Sequence, residues 1–156
     1  MEQQEASEDA VTTRIGQAIM LLHGGDREEA RNRFGALWAE LGSEGDALHR
    51  CTLAHYMADT QDDPGDELAW DLRALTAAEG LSEGRSGEHP DAVAVQGFLP
   101  SLHLNLAADY LKLQRPEAAR IHLRRAQDAA GILDDDGYGG GVRAAIERME
   151  LRLWQR

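Results

Sequence analysis

Cysteine, lysine and aromatic residues are scarce in this 156-residue chain. The single cysteine, Cys51, excludes an intramolecular disulfide and fits a reducing compartment. Aromatics make up 5% of the residues, so Ala and Leu carry much of the 42% hydrophobic fraction. That mix favours helices over strands, which draw on β-branched and aromatic residues. Positive charge is also short: 16 basic residues face 28 acidic ones, for a formal charge of −12, and Lys112 is the one lysine. An acidic surface repels phosphate backbones and anionic lipid, so neither nucleic acid nor membrane is an expected partner. No stretch approaches the roughly 20 apolar residues of a membrane span. The opening MEQQEASEDAVTTR lacks the basic start and apolar run of a signal peptide, and the expected location is the cytoplasm.

Apolar residues recur at helical spacing nearly throughout, which predicts seven helices and no strand. The first runs from Ser7 or Asp9 to His23, with Ile15, Ala18, Ile19 and Leu22 on one side, and Gly24-Gly25 stops it. The second runs from Asp26 to Leu41; Asp26 and Glu29 have capping-box spacing, and Ala30, Phe34 and Leu37 face inward. The third covers Asp46 to Gln61. Asp62-Asp63-Pro64-Gly65-Asp66 reads as a turn, followed by a fourth helix from Glu67 to Glu79 with Leu68, Leu72 and Leu75 inward. Gly80 to Glu88 reads as a polar loop. The fifth helix runs from Pro90 to Leu113, kinked or interrupted at Pro100. The sixth covers Pro116 to Ala130. Residues 134–141, DDDGYGGG, read as a loop, and Val142 to Trp154 forms a last helix with Ile146, Met149 and Leu153 inward. Such a chain is a single all-α domain, either a bundle or a helical repeat.

Three helix pairs align. The third holds Leu106-Ala107-x2-Tyr110, then Ala119-x3-Leu123-x2-Ala126; the first holds Gln17-Ala18-x2-Leu21, then Ala30-x3-Phe34-x2-Leu37. This resembles the tetratricopeptide repeat (TPR), in which a small residue lets two helices approach and larger residues fill the space between them. The resemblance implies a right-handed α-α superhelix of about three TPR-like hairpins plus a C-terminal capping helix. Its parts are repeat 1 at 8–42, repeat 2 at 46–80, a loop at 81–89, repeat 3 at 90–131 with an extended first helix, and the cap at 142–155. The family's tryptophan position holds Arg14, Arg50 and His103 here.

The second pair aligns in two registers. One puts His55 and Asp59 in the Leu and Tyr slots and buries both polar groups, at a cost of kcal/mol each. The other uses Leu53-Ala54-x2-Met57 and needs a turn two residues longer, which costs little. The second register is preferred. It places Cys51, His55 and Asp59 on the stripe that, in the family the chain resembles, faces the concave groove. Ile15, Ile19 and His23 match them in the first repeat, as do Leu104, Ala108 and Lys112 in the third. The resemblance therefore implies a ligand-binding groove with Cys51, His55 and Asp59 at its middle and His23 and Lys112 at one edge. Asn105 matches an asparagine that in some family members clamps a peptide carboxylate, with Lys112 as the added cation.

Metal and catalytic readings of HRCTLAHYMADTQDD, residues 49–63, meet a geometric limit. Cys51 and Asp59 are eight residues apart on one helix, roughly 12 Å, too far to share an ion bound at about 2.0–2.3 Å. There is no CxxC, HExxH or paired ExxH motif, and Asp134, Asp135 and Asp136 lack EF-hand spacing. Neither a metal nor another cofactor is expected. The leading expectation is a non-enzymatic scaffold that binds a protein or peptide segment in the groove. The alternative is a small-molecule-binding or catalytic helical protein with a Cys51/His55/Asp59 pocket, and a third reading is a homodimer through the fifth or last helix.

Overall fold

A computed structural model describes residues 2–84, 90–131, 133 and 136–154. Among the described residues there are seven helices and no strand: α1 (Glu2–His23), α2 (Arg27–Leu41), α3 (Ala47–Asp59), α4 (Pro64–Gly84), α5 (Pro90–Lys112), α6 (Pro116–Ala130) and α7 (Gly137–Trp154). They pack as sequential antiparallel pairs, α1 with α2, α3 with α4 and α5 with α6, and α7 closes against α5 and α6. The first helices of the pairs also touch in succession, α1 with α3, α3 with α5 and α5 with α7. Among the described residues the backbones of α2, α4 and α6 do not approach one another, and α2 meets α4 through the side chains of Trp38 and Trp70. One shared face is therefore built by α1, α3 and α5, an arrangement consistent with a helical repeat.

Each pair has its own core, and each core leans on the next. Ile15, Ala18, Ala30, Phe34 and Leu37 pack with Leu53 of α3. Cys51, Ala54, Ala74 and Ala78 pack with Leu102 of α5. Ala107, Leu111, Ala119, Leu123 and Ala126 pack with Val142, Ile146, Met149 and Leu153 of α7, so the last helix covers an apolar face that would otherwise be wet. Trp38 borders both of the first two cores. It crosses Trp70 edge to face at 5.1 Å, and the Arg50 guanidinium lies 4.4 Å over its ring.

The small residues set the register. Ala18, Ala54 and Ala107 are each fully buried, at 0% exposure. Leu53-Ala54-x2-Met57 is thus in step with the other two pairs, as the energetic comparison favours. The turns of the first and third pairs are also the same turn. After α1, the Asp26 N–H donates to the Leu21 carbonyl at 2.9 Å with Gly25 at φ +94°. After α5, the Arg115 N–H donates to the Tyr110 carbonyl at 2.8 Å with Gln114 at φ 60°. Both are helix stops in which one left-handed residue closes the last carbonyls.

The fourth helix departs from expectation. It begins at Pro64, so the turn is residues 60–63 and not 62–66. The Asp63 carboxylate caps it by accepting the Asp66 N–H at 3.0 Å. From first helical residue to small-residue slot, α2 takes Arg27 to Ala30 and α6 takes Pro116 to Ala119. In α4 the buried set is Asp71, Ala74, Leu75 and Ala78, repeating Ala119, His122, Leu123 and Ala126 of α6. Asp71 therefore stands where the other pairs have alanine, and α4 carries one extra N-terminal turn. Of the expected inward residues only Leu75 is buried; Leu72 is exposed and Leu68 half-buried.

Other boundaries shift for local reasons. Asp26 makes no side-chain cap bond, its N–H goes to the Leu21 carbonyl, and the Glu29 carboxylate accepts from Arg33 at 3.0 Å, so no capping box forms. Asp46 does cap α3, accepting the His49 N–H at 3.1 Å. α4 continues to Gly84 through the first part of the expected loop, and residues 85–89 lie outside the described ones. α5 is continuous through a buried Pro100. α7 starts within the glycine stretch because Asp136 caps it, its carboxylate accepting the Gly139 N–H at 2.7 Å. Asp134 and Asp135 lie outside the described residues.

Candidate functional site

The stripe on the shared face grades from core to water in the same way in all three pairs. Ile15 and Cys51 are buried and Leu104 half-buried; Ile19, His55 and Ala108 are half-buried; His23, Asp59 and Lys112 are exposed. Cys51 is therefore not displayed in the groove as the stripe implies. It belongs to the α3–α4–α5 core at 2% exposure, and burial pushes its thiol up to about 11. It touches the site only as the wall of a cavity of about 270 Å³.

That cavity opens between α1, α3, α5 and the start of α7. Ile19, Phe98 and Leu102 supply apolar walls, and Thr52, His55 and Ser101 supply polar groups. Tyr138 closes one side. Its hydroxyl donates to the Gly97 carbonyl at 3.1 Å and lies 2.7 Å from Ser101 Oγ, which then donates to it. Phe98 and Tyr138 remain 41% and 48% exposed, so the mouth is aromatic.

His55 links this cavity to a charged end. Asn105 Nδ2 donates to His55 Nδ1 at 3.3 Å, which leaves the ring proton on Nε2. Burial lowers the His55 pKa, opposed by Asp59 one turn along α3. Asp59 is pushed up by partial burial while His55 pulls it down; Glu67 raises it further, and His23 and Lys112 lower it. The structure thus brings five of the six expected residues, His23, His55, Asp59, Asn105 and Lys112, into one neighbourhood. The sixth, Cys51, sits behind the wall.

Three residues that the pattern did not single out complete the charged end. Glu67, Asp71 and Asp109 place a carboxylate oxygen each within 4.8 Å of one another. Asp71 and Asp109 are both 2% exposed. Burial raises both carboxyls, with their mutual contact adding to Asp71. Lys112 Nζ reaches Glu67 Oε1 at 2.8 Å, and that bond raises the ammonium pKa. Lys112 is thereby engaged inside the protein, and the surplus charge of this end is negative. The extra first turn of α4 is what delivers Glu67 there. A residue-level signal existed: Asp71-x3-Leu75-x2-Ala78 repeats Ala119-x3-Leu123-x2-Ala126 with an acid in the alanine slot.

No helix of the described residues is long and apolar enough to cross a membrane. Compared with known proteins, the chain matches no family model, and no curated protein or solved structure matches it at a significant level.

Proposed function

We propose that the protein is a non-enzymatic, TPR-like interaction module that holds an extended peptide segment on the face of α1, α3 and α5. The observation that carries this reading is the continuity of an aromatic-mouthed cavity with an acidic end through His55. An apolar side chain of the segment fills the space between Ile19, Phe98 and Tyr138. A lysine or arginine two or three residues along reaches Asp59. Charge complementarity selects this occupant: Lys112 is paired with Glu67 and Asn105 with His55, and the surplus charge beside Asp59 is negative. Recognition of this kind places a buried apolar anchor beside a partly wet charge pair.

The test is titration of fluorescent peptides of the form aromatic-x-x-Arg and aromatic-x-x-Glu. Binding of the basic peptide, weakened about tenfold by Asp59→Asn and by Phe98→Ala with melting unchanged, supports the proposal. Equal binding of both peptides, or binding indifferent to Asp59 and Phe98, refutes it. The 11-ward shift of the Cys51 thiol favours this reading over a cysteine nucleophile, which must ionise near neutral pH.

A further inference from the structure

We propose that Glu67, Asp71 and Asp109 form a buried binding site for one hard divalent cation, of the size of manganese or calcium. The ligand set is the first reason. α4 supplies Glu67 and Asp71 one turn apart, α5 supplies Asp109 from across the helix interface, and their oxygens lie within 4.8 Å of one another. Oxygens bound to one calcium at about 2.3–2.6 Å lie no farther apart than roughly twice that length. A set made only of carboxylates selects hard cations and leaves zinc and copper unfavoured.

The second reason is independent of the clustering. Asp71 Oδ1 and Asp109 Oδ2 are fully buried and have no hydrogen-bond donor from the rest of the protein, so the two carboxyls pair with each other by sharing a proton. A buried acceptor left bare carries its full desolvation cost, and a buried charge carries more. Helix backbones offer these oxygens nothing, since interior N–H groups are taken up by the helix itself. An Asp in an alanine slot, between helices, that must hold a proton to face a second buried carboxyl is a costly arrangement for packing alone. A cation between them satisfies both oxygens and balances the charge.

The surroundings agree in sign. Facing the cluster are Asp59 on α3 and Lys112 on α5, and His55 and His23 lie beside Asp59. Lys112 is the one fixed cation bonded to the cluster, through Glu67. It supplies a single charge to three carboxyl groups, and at 51% side-chain exposure it is free to swing outward when a divalent ion enters. The site adjoins the proposed peptide contact at Asp59 but does not include it as a ligand.

The experiment is a manganese(II) titration of the whole chain at pH 7.5, followed by electron paramagnetic resonance and calorimetry, with calcium as competitor. One site per chain is expected, with a melting temperature that rises with manganese and returns with EDTA. Asp109→Asn, nearly isosteric, weakens binding at least tenfold. Lys112→Ala removes the competing ammonium on the surface and tightens binding several-fold. The opposite effects of these two changes distinguish a defined site from diffuse attraction to an acidic protein. No saturable binding of manganese or calcium below millimolar concentration overturns the proposal. So does binding that Asp109→Asn and Lys112→Ala leave unchanged, or that Lys112→Ala weakens. If Asp109→Asn fails to fold, the wild-type titration and Lys112→Ala decide alone.

Discussion

The Nδ1 atoms of His103 on α5 and His122 on α6 lie 3.1 Å apart in the core, so one ring donates and the other accepts. The accepting ring must be neutral for that bond, and burial keeps the donor neutral too, so the two carry their protons on opposite nitrogens. The His122 ring also stacks on Tyr110 at 5.5 Å. Burial lowers the His103 pKa to about 4, helped by His122 and Arg125, and lowers His122 for the same first reason. In the unfolded chain both titrate near 6.5. Between these values the unfolded state binds protons that the folded state refuses, so stability falls as pH falls. The contribution is intact above about pH 6.5 and drains away down to about pH 4, by roughly 3 kcal/mol for His103. Urea melts of the wild type and of a variant with leucine at both positions should diverge in slope across this window. Parallel slopes would show that the pair stays neutral for no energetic reason.

Gln114 takes the left-handed turn position that Gly25 takes in the first pair, at φ 60° against +94°. A side chain there costs about 1–2 kcal/mol, and glycine returns part of the gain as unfolded-state entropy. Gln114→Gly should therefore stabilise the protein by about 0.5–1 kcal/mol, and Gly25→Ala should destabilise it by about 1 kcal/mol. Gln114 is exposed, so no packing change obscures the reading. A Gln114→Gly variant that unfolds at lower urea than wild type would contradict the shared turn.

Ala18, Ala54 and Ala107 were legible because a fully buried small residue leaves its spacing in the sequence, whatever the loops between pairs do. The capping helix was legible for the same reason: Ile146, Met149 and Leu153 recur at helical spacing, and all three are buried. What the spacing could not carry is rotation of a helix about its own axis when leucines lie on several sides. Leu68, Leu72 and Leu75 make a convincing apolar stripe, yet Asp71 takes the inner position and Leu72 faces water. The physical cause is the extra turn begun at Pro64, which sets the inner face of α4 seven residues from its start where α2 and α6 have three. Glu67, Asp71 and Asp109 were missed with it, since carboxylates on the adjacent helices α4 and α5 become neighbours only once the inner face of α4 is known. Composition likewise reads DDDGYGGG as loop, because four glycines disfavour a helix. The Asp136 cap and the Tyr138 bond to Gly97 overcome that preference by tertiary contact.

Cys51 should be nearly inert in the folded state. At 2% exposure and with its thiol raised to about 11, both access and thiolate are lacking. Labelling by Ellman's reagent at pH 7.5 should run at least about a hundredfold slower than for a free thiol, and should become fast in urea with the midpoint of unfolding. Cys51→Ala should leave peptide binding intact and lower stability by about 1 kcal/mol through the small cavity it creates. Rapid labelling without denaturant would place the thiol in the groove after all.

Asp71→Asn separates the needs of folding from the needs of binding. In EDTA the wild-type cluster holds three carboxyl groups against one ammonium, and two of its buried oxygens have no donor from the rest of the protein. Without metal the buried Asp71 must take up a proton on folding to donate to Asp109, whereas an amide at position 71 offers that donor without the proton. The expected result is a gain of about 1–3 kcal/mol in urea unfolding under those conditions. A residue kept only for packing would show the reverse, because the wild-type side chain would then be the better fit. With manganese present the order should invert: the wild type gains stability through its ligand, and the variant, with a neutral ligand in place of a carboxylate, gains little. Stability measured with and without the ion thus gives a crossing of the two proteins. Parallel shifts of both would mean that Asp71 has no part in holding a cation.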